Sequence, residues 1–260
     1  MENLKTSGYA PVNGLNMYYE IYGSGNVPLV LIHGGGSTIE TSFGQLLPLL
    51  SGYGKRIAVE LQAHGRTSDR DAPESFEQDA DDVAALLSYL KIDKANFWGF
   101  SNGGTTTLQI AIRHPEIVHK IVSLSGAYQR EGFIPGFFDG FQNATLSQMP
   151  EALKAAFLKV TPDEHRLQTM FEKDVARMAN FKDIADNDMQ SIKAPALIMV
   201  SDQDAVTAEH TVKMARLIPG GRLAVLPGPH GACIGTAESA VKGSKLPGIT
   251  ATLVEEFLKE

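Results

Sequence analysis

The chain holds a single cysteine, Cys233, in 260 residues, so no disulfide can form within it. Basic residues are outnumbered, 23 Lys and Arg against 30 Asp and Glu, and the formal net charge is −7 with no Lys/Arg cluster along the chain. That balance argues against a phosphate-backbone partner. Long apolar runs are missing too: none approaches the roughly 18 residues that a membrane span needs. The opening MENLKTSGYA lacks the charged-then-apolar pattern of a signal peptide. The expectation is a cytoplasmic protein with neither nucleic-acid nor membrane partners. No internal repeat and no low-complexity tract interrupts it. What is present is 43% hydrophobic and 20% charged residues, enough to bury a large core in one enlarged α/β domain or two small ones.

Asn13-Gly14 lies between two β-prone runs, a tight hairpin because both residues tolerate positive φ. VPLVLIHGGG is a short continuous apolar run ending in glycines, the pattern of a strand buried on both faces. Strands and helices then alternate: KRIAVEL, the helix SFEQDADDVAALLSYLKI, NFWGF, the helix NGGTTTLQIAIRH, and HKIVSLSG. This βαβ rhythm predicts a parallel sheet. Ser75 and Gln78 form a capping-box pair, and Ala80, Val83, Ala84, Leu87 and Leu90 share the face expected to cover the sheet. The rhythm breaks after Ser125 and resumes at APALIMVSDQD, so residues 126–192 read as an insertion. Within it, Thr161-Pro162-Asp163-Glu164 predicts a helix capped by Thr161. TAEHTVKMARLI, GRLAVLPG and a final helix TATLVEEFLKE complete the pattern.

Gly99-Phe100-Ser101-Asn102-Gly103 fits G-x-S-x-G between a strand and a helix, the context that motif requires. A serine that merely caps a helix is the alternative, but a cap needs no flanking glycines, whereas a sharp strand-to-helix reversal does. His33-Gly34-Gly35-Gly36 follows an earlier strand; glycine lets backbone N–H groups approach a developing oxyanion, with Gly35 and Asn102 as the candidate donors. Asp202 and Asp204 follow the strand ALIMV, at a carboxyl end where functional groups of α/β sheets gather. Asp204, deeper in the loop, is the candidate acid and Asp202 a turn residue. His230 sits past the last strand in a Pro/Gly-rich loop. Of the other histidines, His114 and His119 read as element ends, His165 and His210 as helix-surface residues, and His33 and His64 as loop-shaping.

LVLIHGGG, GFSNGG, LIMVSDQD and GPHG, in this order across essentially the whole chain, resemble the α/β-hydrolase fold superfamily. LQAHGRTSD resembles the loop after its fourth strand. The resemblance implies a mostly parallel eight-stranded sheet flanked by helices, with a helical cap inserted after strand six. Residues 1–125 and 193–260 would then form the core domain and 126–192 the cap. It further implies Ser101 as nucleophile, His230 as base and Asp204 as orienting acid. Serine at the elbow sets aside the dehalogenase and epoxide-hydrolase branches, whose nucleophile is aspartate. Two departures, Ser201 in place of glycine and Glu60 in place of aspartate, touch none of the triad.

The expected chemistry is acyl transfer with no cofactor and no metal, on a small-molecule substrate, by a monomer or homodimer. Activity should fall as pH drops through the imidazole pKa of about 6.5. Phe133, Phe137, Phe138, Phe141, Met149, Phe157, Met170 and Phe171 supply the insertion with apolar surface, either to line a pocket or to pack it down. Phe137, Phe138 and Phe141 are the expected substrate contacts, and a small or medium apolar ester the expected substrate. Arg130 reads as a solvated loop charge rather than a carboxylate partner, and Cys233 as a small buried residue. The alternatives are the same triad acting on a C–C bond, lactone or amide or as a perhydrolase, and a non-catalytic ligand-binding relative.

Overall fold

A computed structural model describes residues 4–260. Met1, Glu2 and Asn3, which belong to the stretch read for a signal peptide, lie outside the described residues. The chain opens with the antiparallel pair β1 (Leu4–Val12) and β2 (Leu15–Tyr22), turned at Asn13 and Gly14 with φ of 45° and 83°. Next come β3 (Leu29–Ile32), a short α1 (Ile39–Phe43), β4 (Arg56–Val59), α2 (Phe76–Tyr89), β5 (Ala95–Phe100), α3 (Asn102–Arg113) and β6 (Val118–Leu124). After β6 the chain leaves the sheet for α4 (Glu151–Val160), α5 (Glu164–Ala179) and α6 (Asp186–Ser191), and returns through β7 (Ala196–Gln203), α7 (Ala208–Leu217), β8 (Gly221–Pro229) and α8 (Leu246–Lys259).

The eight strands form one sheet in the order β1-β2-β4-β3-β5-β6-β7-β8. Only β1–β2 and β2–β4 are antiparallel; every pair from β4 to β8 is parallel. Strands β3, β4 and β5 are buried along their whole length, as strands with both faces covered must be. Alternation divides them. Val30, Ile32, Ile57, Val59 and Phe97 meet α2, α3 and α7 on one face, while Leu29, Leu31, Ala58, Trp98 and Phe100 meet α1 and α8 on the other. Among the described residues no helix is long and apolar enough to cross a membrane.

Local departures have clear causes. Helix α5 is capped by Asp163, whose carboxylate accepts from the His165 and Arg166 N–H groups; Thr161 instead donates its hydroxyl to the Gly65 carbonyl at 2.7 Å, joining the insertion to the loop after β4. Ser75 caps α2, but the Gln78 amide turns to Asp82 and leaves the box half closed. Helix α8 starts at Leu246, ahead of the expected TATLV run, because Pro247 fits a first turn. His210 is buried rather than on the surface: it stacks on Tyr128 at 4.7 Å and accepts the Tyr128 N–H. Burial pushes its pKa down to about 4.

Candidate active site

The turn from β5 into α3 places Ser101 at φ 56°, ψ −119°, a conformation that non-glycine residues hold only under strain. The turn is this sharp because α3 lies nearly on the sheet. A methyl at Gly99 would strike the Gly103 carbonyl and the Thr107 hydroxyl, and one at Gly103 would lie 2.5 Å from the His33 carbonyl oxygen. The two glycines are therefore steric requirements, and they leave the Ser101 side chain at the mouth of α3.

The loop after β8 brings His230 Nε2 to 3.1 Å from Ser101 Oγ. On the other side of the ring, His230 Nδ1 stands 2.6 Å from Asp204 Oδ1. The three residues predicted from sequence as a triad thus form one hydrogen-bonded chain. Asp202, the competing carboxylate, accepts instead from the Gly228 N–H at 2.7 Å and ties β7 to β8. Asp204 is held further by the Val206 N–H and by Ser125, whose hydroxyl donates to Oδ2 at 2.6 Å. Ser125 follows β6 with a φ of 56°; the sequence reading missed it, although a Ser-Gly pair at a strand's carboxyl end was the available signal.

Burial by itself would raise the Asp204 carboxyl, but the hydrogen bonds from His230 and Ser125 and the charge of His230 more than offset it, and its pKa lies below the ordinary value. For His230 burial works downward and the Asp204 hydrogen bond and charge work upward; the net direction is up. This is how a carboxylate holds an imidazole: it fixes the Nδ1–H tautomer, leaving Nε2 free to take a proton from Ser101.

Gly35 and Asn102 both border the cavity beside Ser101. Asn102 is the first residue of α3, so its N–H is one of the donors that a helix leaves free. Gly36 differs. Its N–H is taken by the carboxylate of Asp174, which reaches in from α5.

The cavity over Ser101 measures about 550 Å³. Phe133, Phe137, Phe141, Met149, Met170 and Phe171 line it, with Leu153, Val175, Met178 and Phe181. Phe138 does not: it packs on Phe133, Phe137 and Phe181 and carries the Arg130 guanidinium 3.7 Å above its ring. Phe157 is wholly buried against Met170 and its neighbours. Arg130 also donates to the Ala179 carbonyl, away from the cavity. Cys233 is buried, and burial pushes its thiol up to about 11.

A second group of ionisable residues escaped the sequence reading. His64, Glu74, Asp79, Asp174 and Arg177 meet behind the glycine loop, all buried. His64 has an acceptor on each side, the Gln62 carbonyl at 2.8 Å and Asp174 at 3.0 Å, with the Gly36 N–H also 3.1 Å from Nε2; the two acceptors favour the doubly protonated, cationic ring. Burial opposes that charge, but the Asp174 charge and hydrogen bond and the Glu74 charge overcome it and lift the pKa to about 9. His33 is the opposite case: it accepts the Leu61 N–H at 3.0 Å, and burial with the nearby His64 pushes it down to about 3. Both histidines shape loops, as expected. The available signal for the group was Asp174 and Arg177 standing on the otherwise apolar face of α5 beside Leu167, Met170 and Met178.

A strained serine between a parallel strand and a helix, joined to a histidine and an aspartate at strand ends, is an arrangement that sequence comparison can test. A family description, alpha/beta hydrolase fold, matches residues 27–189. The chain belongs to the α/β-hydrolase fold family. The human serine hydrolase BPHL is 27% identical to this α/β-hydrolase over 86% of the chain and 80% of its own length. A meta-cleavage product hydrolase from Pseudomonas fluorescens IP01 superposes with a TM-score of 0.78 at 20% identity, covering 98% of each chain. The enol-lactonase from Burkholderia xenovorans LB400 gives 0.75 at 23% identity, over 97% of this chain and all of that one. At such identities these two likenesses speak for the fold alone.

Proposed function

We propose that the protein is a serine hydrolase that cleaves small or medium carboxylic esters with an apolar acyl portion, residues 126–192 serving as a cap over a core of residues 1–125 and 193–260. The observation that carries the proposal is the hydrogen-bonded chain Ser101–His230–Asp204 opening into an apolar cavity. Ser101 Oγ attacks the ester carbonyl while its proton passes to His230 Nε2, and Asp204 stabilises the imidazolium. The Gly35 and Asn102 N–H groups receive the oxyanion. The tetrahedral intermediate collapses as His230 returns the proton to the departing alcohol. Water, deprotonated by the same ring, then releases the acid and restores Ser101.

The cavity wall also favours a class of substrate. Its ionisable residues, among those described, are His230 and Asp174, with no Lys or Arg. Asp174 has its oxygens occupied by Gly36, His64, Arg177 and Asn102. A substrate with a free carboxylate would lose its hydration there and find no cation, a cost of several kcal/mol. An uncharged apolar acyl chain meets no such penalty.

Two measurements test the reading. A fluorophosphonate probe should label the protein, and Ser101→Ala should abolish labelling; no labelling of the unmodified protein overturns the serine mechanism. In a panel of p-nitrophenyl acetate, butyrate, octanoate and hemisuccinate, the butyrate or octanoate should be turned over best and the hemisuccinate worst. Labelling accompanied by cleavage of a diketone and of no ester would retain the nucleophile and overturn the bond assignment.

A further inference from the structure

We infer that Asp174, carried on α5, is a positioning residue for the oxyanion site: it holds the glycine loop and the Asn102 side chain so that the Gly35 and Asn102 N–H groups remain aimed at the reacting carbonyl. The inference rests on the proposed serine mechanism and adds to it a part supplied by the segment between β6 and β7.

The geometry is specific. Asp174 Oδ2 accepts from the Gly36 N–H and from His64 Nε2, and Oδ1 accepts from Asn102 Nδ2 at 3.3 Å and from Arg177 Nη2. One carboxylate therefore holds the glycine loop by a backbone N–H and Asn102 by its side-chain amide. The fit leaves no slack: a methyl built on Gly35 would lie 2.5 Å from Asn102 Nδ2 and 2.9 Å from Asp174 Oδ2. Taking the Gly36 N–H out of play also has a purpose. Of three successive glycine N–H groups, Asp174 fixes the loop by the last, that of Gly36, and leaves the neighbouring Gly35 N–H to the oxyanion.

A bare carboxylate here would be harmful, because a negative charge beside a developing oxyanion raises the barrier that the N–H groups lower. The surrounding cations answer this. His64 and Arg177 both contact Asp174, and Arg177 is shared with Asp79 at 2.8 Å and Glu74 at 3.5 Å. The groups facing His64 are Asp174 and Arg177 from α5, Glu74 from the loop before α2, and His33 from the end of β3. Near neutral pH two cations, His64 and Arg177, balance two anions, Asp174 and Asp79. Burial holds Glu74 up near 8 against the pull of Arg177. Glu74 ionises near pH 8 and His64 loses its proton near 9, so the unit beside the oxyanion site turns negative above about pH 8 and more so above 9.

The test uses the full chain and the isosteric Asp174→Asn, whose side-chain NH2 can no longer accept. Expected are a fall in kcat of about 10- to 100-fold with KM within about threefold, because the loss falls on the transition state. The Ki of a trifluoromethyl ketone should rise by a similar factor, with the affinity of the matching methyl ketone unchanged; Asp174→Glu should recover part of kcat. A folded Asp174→Asn with wild-type kcat and trifluoromethyl ketone Ki overturns the inference. Should the variant not fold, the unmodified enzyme decides: its kcat should decline as pH rises from about 8 through 9, and a level kcat up to pH 10 overturns the inference. Failure of the unmodified enzyme to react with fluorophosphonate would overturn the underlying serine mechanism instead.

Discussion

Replacing Gly103 by alanine tests whether the elbow is a steric device. Gly103 lies in the first turn of α3 with no positive φ, so propensity alone says that alanine should stabilise the helix by up to about 1 kcal/mol. The packing says the reverse. The new methyl would sit 2.5 Å from the His33 carbonyl oxygen and 2.7 Å from the Ile32 carbonyl carbon, and closer still to the Ile32 oxygen. All three atoms are backbone of a fully buried strand and its end, so none can rotate aside. Restoring ordinary contact means moving the head of α3 by roughly 1 Å, and overpacking of that kind costs about 3 kcal/mol. The net loss of about 2 kcal/mol corresponds to a Tm lower by about 4–8 °C for a chain of this size. The same movement carries Ser101 and Asn102 away from His230 and Gly35, where a misplacement of about 1 Å costs on the order of 100-fold in rate. Gly248 supplies the internal control: it also lies in a helix, α8, and a methyl there would meet nothing within 4 Å. Thermal melting and p-nitrophenyl ester turnover should show Gly248→Ala at or slightly above wild-type stability with unchanged kcat, and Gly103→Ala low in both. The steric account is wrong if both variants melt together.

Three further outcomes are expected. Asp204→Asn should lower kcat by about 10⁴-fold by presenting the wrong imidazole tautomer, while Asp202→Asn, which loses only the bond from the Gly228 N–H, should stay within about threefold of wild type; equal losses would reverse the assignment of the acid. Because His230 must be neutral to accept a proton and its pKa is raised, the acid limb of kcat/KM should lie above the ordinary imidazole value of about 6.5. The ring is 35% exposed, so solvent in the cavity tempers that shift; a midpoint below 6 in a pH–rate profile would contradict it. Ser125→Ala removes the 2.6 Å bond to Asp204 and should cost about 10-fold in kcat, read with the same ester; unchanged kcat would make Ser125 a bystander.

The parts that could be read in advance are those whose chemistry dictates a residue type at an element's end. Ser101, Asp204 and His230 each follow a strand, and the glycines at 99 and 103 have no purpose unless a helix lies close to a sheet. Gly14 with Asn13, and the uninterrupted apolar runs of β3 and β5, reported the antiparallel start and parallel centre for the same reason: local sterics and burial leave few options. Errors fell where distant chain supplies the partner. Thr161 looked like a cap because its neighbours are Pro, Asp and Glu, yet its hydroxyl serves the Gly65 carbonyl. His210 looked exposed on a helix, yet the return of the chain through Tyr128 buries it.

Asp174 is the instructive case, since three of its four partners come from three separate distant stretches and only Arg177 is near it in sequence. No window of sequence could reveal that set, but the helix itself carried a contradiction. Two charged residues stand three apart on the face that Leu167, Met170 and Met178 turn inward, and buried charges are retained only where each finds a partner. Removing either would strand His64, Glu74 or Asp79 as a buried charge without its partner. One end of this network meets the glycine loop at the Gly36 N–H, where a few tenths of an ångström decide how well two N–H groups meet an oxyanion.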